Sequence, residues 1–219
     1  MGKILLICQG SQSIQLIREL FSIGYTPDLL YVITVKNVSN NSFIEFIKYY
    51  EINNKIIEKN SINDIIISTI QNFQPSITVS FSNSFILDST VLKMDTKFIN
   101  FHPGILPDYK GSLSTVYSLI NKEKYVGGTW HYLSKKVDGG NIIKIKLIPI
   151  SNLDTAFSLN HKIFSSCIPI IKEVIDSINS KDPGIKNEGG KFYYNNFPMI
   201  DYLPLDMQRK IKYFPPKFK

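Results

Sequence analysis

What this 219-residue chain lacks narrows its class before any motif is read. It has two cysteines, Cys8 and Cys167, both in apolar surroundings, which excludes a disulfide framework and predicts two reduced core thiols. Its three histidines, His102, His131 and His161, show neither close-pair spacing nor a neighbouring cysteine, which argues against a metal centre. Charged residues make up only 20%, with 12 glycines and 11 prolines, so neither a disordered nor a fibrous chain fits. No apolar run approaches the roughly 20 residues of a spanning helix. The opening MGKILLICQG has too short an apolar run for a signal peptide and no cleavage pattern. The expectation is a soluble cytoplasmic protein without a membrane partner.

What is present is material for a core: 43% hydrophobic and 12% aromatic residues, in a length that suits one large domain or one domain with an appendage. The net charge is +7, yet five cations (Arg209, Lys210, Lys212, Lys217 and Lys219) follow the last acid, Asp206. Without them the balance is 20 basic against 18 acidic residues. A nucleic-acid binder carries its cations as a stripe on the folded surface, so no nucleic-acid partner is expected. Anionic small molecules remain open.

The order of elements points to an α/β fold. Lys3 to Cys8 is a continuous apolar run of the kind buried on both faces of a parallel sheet. Gln12 to Ile23 sets Leu16, Ile17, Leu20 and Phe21 on one helical face, and Gly24 stops it. Asp28 to Thr34 reads as a strand and 41–51 as a helix. Ser61 and Asp64 form a capping-box start for a helix running to Phe73, and 77–80 and 97–101 are the next strands. Alternation of this kind predicts a doubly wound, mostly parallel sheet. Further on, 112–121 reads as a short helix, 127–133 as a half-buried strand, and 141–150 as the strand after the Asp138-Gly139-Gly140 turn. One long helix over 154–180, bent at Pro169, then leads into a Gly/Asn/Lys/Pro linker over 181–190, an aromatic strand over 191–195 and an irregular tail. The predicted division is a catalytic domain over 1–180 and a short aromatic and basic extension over 181–219.

Three polar groups carry the candidate chemistry. In FINFHPGILPDYKG, Asn100 and His102 alternate with Ile99 and Phe101, so a strand puts both polar side chains on one side at its carboxyl end. That edge is where open α/β sheets bind ligands. Pro103 favours an extended His102, and Gly104 permits a sharp turn after it. Asp138 opens the glycine turn.

The run Asn100-x-His102-Pro103-Gly104-x-Leu106-Pro107-x-x-x-Gly111, then Gly128-Thr129-x-His131-Tyr132, then Asp138-Gly139-Gly140-x-Ile142-Ile143, resembles the folate-dependent formyltransferases. The resemblance covers residues 1–150. It implies a Rossmann-like formyltransferase fold, 10-formyltetrahydrofolate as co-substrate, and Asn100, His102 and Asp138 as the catalytic residues. Those residue types suit the reaction: an amide and an imidazole for a developing oxyanion and a leaving nitrogen, and a carboxylate to support the imidazole and take the amine's proton. Thr129 and His131 match a supporting strand. The resemblance further implies a folate pocket lined by Phe81, Phe85, Ile86 and Leu87, with Lys135 and Asp138 on its far side.

For the acceptor, the family's purine enzymes carry a glycine-rich phosphate loop after the first strand. Here Cys8 to Ser13 is one glycine short and out of register, although Gly10 and Ser11 could still meet an anion. The C-terminal barrel of the tRNA enzymes is replaced by a short aromatic stretch, which is similar to the nucleotide-sugar N-formyltransferases. The predicted acceptor is a nucleotide-linked amino sugar, a dTDP-4-amino-4,6-dideoxyhexose for surface polysaccharide, met by Gly104, Tyr109 and Lys110, and the family admits a homodimer. Alternatives are a glycinamide ribonucleotide formyltransferase, a formyltetrahydrofolate hydrolase and, in a different class, an inactive nucleotide-binding module.

Overall fold

A computed structural model describes residues 1–37, 40–58, 62–83, 85–194 and 205–212. Its framework is a seven-stranded sheet of order β3-β2-β1-β4-β5-β7-β8. The strands are β1 (Ile4–Cys8), β2 (Leu30–Val35), β3 (Asn53–Ile57), β4 (Ile77–Phe81), β5 (Lys97–His102), β7 (Tyr125–Tyr132) and β8 (Ile142–Pro149). The first five run parallel, whereas β7 is antiparallel to β5 and β8 to β7. A small parallel pair, β6 (Tyr109–Gly111) with β9 (Lys191–Tyr193), lies apart from it. The doubly wound, mostly parallel fold expected from the sequence is the fold observed.

β1 shows why its run must be apolar throughout. Ile4, Leu6 and Cys8 enter one hydrophobic cluster while Leu5 and Ile7 enter another on the opposite face. The first cluster is covered by α1 (Ser11–Ser22), α2 (Asn41–Tyr49), α4 (Ser114–Ile120), α5 (Ala156–Cys167) and α6 (Ile171–Asn179), the second by α3 (Ile62–Phe73). Helix α1 buries Leu16, Ile17 and Leu20. It ends with Gly24 at φ 101°, its N–H on the Phe21 carbonyl and that of Tyr25 on Leu20, the paired bonds of a Schellman stop. Cys8 and Cys167 are buried free thiols, and burial raises them to about 12 and about 11 respectively. Among the described residues, no helix is long and apolar enough to cross a membrane.

Four local expectations change. β3 was not foreseen: Asn53-Asn54-Lys55 is poor strand material, and these residues form an edge strand held by parallel pairing to β2. β7 is not half-buried, because six of its eight positions are buried. Trp130 packs into the core below it, while Thr129 on the other side bonds the loop after β5. The predicted bent helix is two helices, α5 and α6, separated at 168–170 around Pro169, which cannot donate to the preceding turn. α5 begins at a capping box of Thr155 and Ser158, with Asp154 beside it accepting from Ser151, Ser158 and Lys162. The capping box expected at Ser61 lies outside the described residues. A final helix, α7 (Leu205–Lys212), places Ile211 in the first cluster.

Candidate active site

β5 turns its Ile99 and Phe101 into the main core, so Asn100 and His102 point to the other face. Antiparallel pairing sets Asn100 opposite His131 and His102 opposite Thr129. Thr129 donates to the Gly104 carbonyl at 2.6 Å and accepts from the Leu106 N–H at 3.2 Å, which folds the turn after His102 back over β7. A side chain on Gly104 would collide with the His102 ring and with Ser114. Ser114 in turn donates to the Pro103 carbonyl.

The three candidate residues converge. His102 is 4% exposed and donates from Nε2 to the Tyr109 carbonyl at 2.5 Å, so that nitrogen carries a proton. Its Nδ1 lies 3.6 Å from Asp138 Oδ2. The same Oδ2 accepts the Gly111 N–H at 2.8 Å, and Oδ1 stands 3.7 Å from His131 Nε2. His131 donates from Nδ1 to its neighbour's carbonyl, that of Tyr132, at 2.8 Å. Burial lowers its pKa to about 4, with the Tyr132 bond and Asp138 pulling the other way, so the ring is neutral at physiological pH. A neutral ring protonated on Nδ1 presents a lone pair on Nε2, which accepts from Asn100 Nδ2 at 3.1 Å. This bond fixes which way the Asn100 amide faces and leaves the second N–H of that nitrogen for a ligand. The cluster therefore combines an oriented amide donor, an imidazole with one nitrogen towards a carboxylate, and that carboxylate.

Two cavities meet at this cluster. One, of about 330 Å³, is lined by Phe85, Leu87, Leu92 and Leu133 with the 134–138 loop. The other, of about 450 Å³, has Gln12, Ser82, Ser114, Thr115 and Asn160 in its wall beside Phe101, Leu113 and Phe164. Asn83, Asn100, Gly111, Ser112 and Asp138 line both. Asn83 shapes the boundary: it donates to the Ile7 carbonyl and Ser80 and accepts from the Phe85 N–H.

Of the residues expected around a folate, Phe85, Ile86, Leu87, Lys135 and Asp138 line the first cavity. Ile86 is 76% exposed and sits at its rim. Phe81 does not belong there. Its ring is fully buried on the opposite face of the sheet, stacked near Phe101 and Trp130, because its position on β4 turns it into the main core. The residues expected around an acceptor are more dispersed. Gly10 caps α1 at φ 80°, but its N–H is already given to Asn40 Oδ1 at 2.6 Å, and Ser11 is exposed beside it. The Tyr109 ring turns away from the site, its hydroxyl bonded to Glu123 and Asn121 and its face stacked on Tyr193. Only its carbonyl reaches His102. Lys110 donates to the Gly189 carbonyl and lines a separate cavity of about 810 Å³ with Lys136, Lys186 and Asn187.

The sequence reading missed Asn83, Asn40 and Asn187, the last of which bonds the backbone of the 138–140 loop. Each acts on main chain remote in sequence, and a lone asparagine in a polar stretch carries no periodic signal.

A profile of the formyl transferase family matches residues 33–175. The GDP-perosamine N-formyltransferase of Brucella melitensis is 32% identical over 124 residues, 56% of this chain and 48% of that one. The chain thus spans about half the length of the curated relatives it first matches. An N-formyltransferase from Helicobacter canadensis, solved with folinic acid and dTDP-3-aminofucose, superposes with a TM-score of 0.76 at 20% identity, over 96% of this chain and 79% of that one. Glycinamide ribonucleotide transformylase 1 from Symbiobacterium toebii gives a TM-score of 0.73 at 18% identity, over 86% and 95%. At such identities the two structures speak for the fold alone.

Proposed function

The chain belongs to the formyl transferase family, and from that premise we propose that it transfers a formyl group from 10-formyltetrahydrofolate to the amine of a nucleotide-linked amino sugar. The observation that carries this reading is the pair of cavities that share Asn100 and Asp138, so that two substrates could meet at those side chains. The slot of about 330 Å³, with Phe85, Leu87 and Leu133 on one wall, suits a flat pterin, and the cavity of about 450 Å³, with Gln12, Thr115 and Asn160, suits a sugar. Formylfolate supplies an acyl group on nitrogen. The acceptor amine attacks that carbon from the 450 Å³ cavity, a C–N bond to the sugar forms, and the C–N bond to the folate breaks.

In this reading the second N–H of Asn100 meets the oxygen on which charge develops, and neutral His131 holds the amide in that orientation. Asp138 takes the proton shed by the attacking amine and hands it to the facing His102 Nδ1, while the Nε2 proton leaves the Tyr109 carbonyl for the departing folate nitrogen, so that the ring ends neutral and Asp138 ends a carboxylate.

The nucleotide and sugar proposed are those of a dTDP-4-amino-4,6-dideoxyhexose destined for surface polysaccharide. The relative at 32% identity is named for a nucleotide-sugar amine, and the Gly10 N–H, held by Asn40, is one donor fewer for a phosphate after β1, as the purine reading would require. Purified protein supplied with 10-formyltetrahydrofolate should formylate a member of a panel of GDP- and dTDP-linked amino sugars. Turnover of glycinamide ribonucleotide alone, or formate release without an amine, would overturn the choice of acceptor.

A further inference from the structure

We propose that Asn187 is a positioning residue that holds the catalytic Asp138 in register from outside the sheet. The proposal rests on the reading of Asp138 as the proton acceptor. Asn187 is 8% exposed, and its Nδ2 donates to the Asp138 carbonyl at 2.8 Å and to the Gly140 carbonyl at 2.9 Å. Two carbonyl partners leave no doubt about which end of the amide faces the loop. Its Oδ1 is buried and has no partner among the described residues, so every hydrogen bond of this side chain goes to the 138–140 loop.

The loop needs such a grip. Asp138 sits at φ 49°, in the left-handed region, where an aspartate carries a modest cost that contacts to its loop offset. The segment bearing Asn187 is itself anchored. Ile185 and Ile142 exchange N–H···O bonds of 2.8 Å in both directions, and β9 pairs with β6, whose Gly111 N–H holds the Asp138 carboxylate. Asp138 is therefore fixed at both ends, its backbone carbonyl by Asn187 and its carboxylate by a strand that β9 supports. Its oxygens stand 3.6 and 3.7 Å from two imidazoles. A displacement of about 1 Å at such a centre costs on the order of 100-fold in rate.

The test is a double-mutant cycle on single-turnover formyl transfer from 10-formyltetrahydrofolate to the panel of nucleotide-linked amino sugars. Asn187→Ala and the isosteric Asn187→Asp, which lacks both donors, should lower kcat by about 10- to 100-fold with little change in KM for either substrate. In an Asp138→Asn background the Asn187 substitution should add almost nothing, because the group it positions is already gone. A folded Asn187→Ala protein with unchanged kcat, or an equal loss in both backgrounds, overturns the proposal. Failure of both Asn187 variants to fold would make the residue purely structural and overturn it as well. Full activity of Asp138→Asn alone, or a wild-type protein inactive on the whole panel, would instead sink the reading of the site on which this rests.

Discussion

β1 and β5 belong to the same parallel sheet, separated only by β4, and they are built to opposite rules. Both faces of β1 meet apolar clusters, and all five of its residues are apolar and buried. β5 keeps that rule on one face with Ile99 and Phe101, but on the other its carboxyl end carries Asn100 and His102. The loops around 103–113 and 133–141 lie there, and they offer carbonyls and N–H groups in place of helical side chains. Polar residues are tolerated at β5 because each finds a partner in those loops or on β7: Tyr109 carbonyl for His102, His131 for Asn100. Burial in β1 serves stability, whereas burial in β5 serves orientation.

Substitution is the most direct way to break this comparison. Asn100→Ala, His102→Ala and Asp138→Ala should each lower formyl transfer by about 100- to 1,000-fold while the protein stays folded. Rate measurements alongside circular dichroism check this, and near-normal turnover by any one of them removes that residue from the catalytic assignment. In β1 the pattern should invert. Leu6 is fully buried, and Leu6→Ala should cost about 2–5 kcal/mol in a denaturant melt while the molecules that remain folded keep their turnover.

His131 sharpens the contrast, since it is buried as deeply as a core residue yet titrates. With its pKa lowered to about 4 from 6.5, the unfolded chain takes up the proton first. Stability should therefore be complete above about pH 6.5 and fall as the pH drops towards 4. His131→Asn should flatten that segment of the stability curve, and urea melts across this range would show whether it does. The smallest effect is expected at the mouth of the 330 Å³ cavity. Leu87→Asp should weaken binding of a folate analogue by setting an unpaired charge against an apolar wall, and Ile86→Asp should do so less, because Ile86 is 76% exposed. Calorimetric titration with folinic acid would rank the two, and equal or reversed losses would redraw the pocket.

Much of the fold was legible because its main strands are apolar runs separated by amphipathic helices. Asn100 and His102 were legible as neighbours because they share one strand at alternate positions, whereas the place of Asp138 beside them was implied by the family resemblance. β3 was not, since an edge strand needs apolar residues on little more than one position; its Asn53 and Asn54 read as turn. Tyr109 and Lys110 were misjudged for a different reason. Their sequence position beside the site is right, but strand pairing of β6 with β9 directs the Tyr109 ring to Tyr193 and Lys110 to Gly189. The bonds of Asn40 to Gly10, Asn83 to Ile7 and Asn187 to Asp138 and Gly140 join segments remote in sequence, which no local pattern encodes.

The parallel pairing of β6 with β9 also bears on the order in which the molecule is completed. Its strands lie far apart in the chain, as does the bond between Asn187 and the Asp138 carbonyl, which spans 49 residues. All seven strands of the main sheet lie within residues 4–149, ahead of both Asn187 and β9 in the chain. The sheet can thus be assembled while the carboxylate still lacks its full set of restraints. In N-to-C synthesis the restraints that Asn187 and β9 place on Asp138 can close only after residues 185–193 have emerged, when every strand of the sheet is already available.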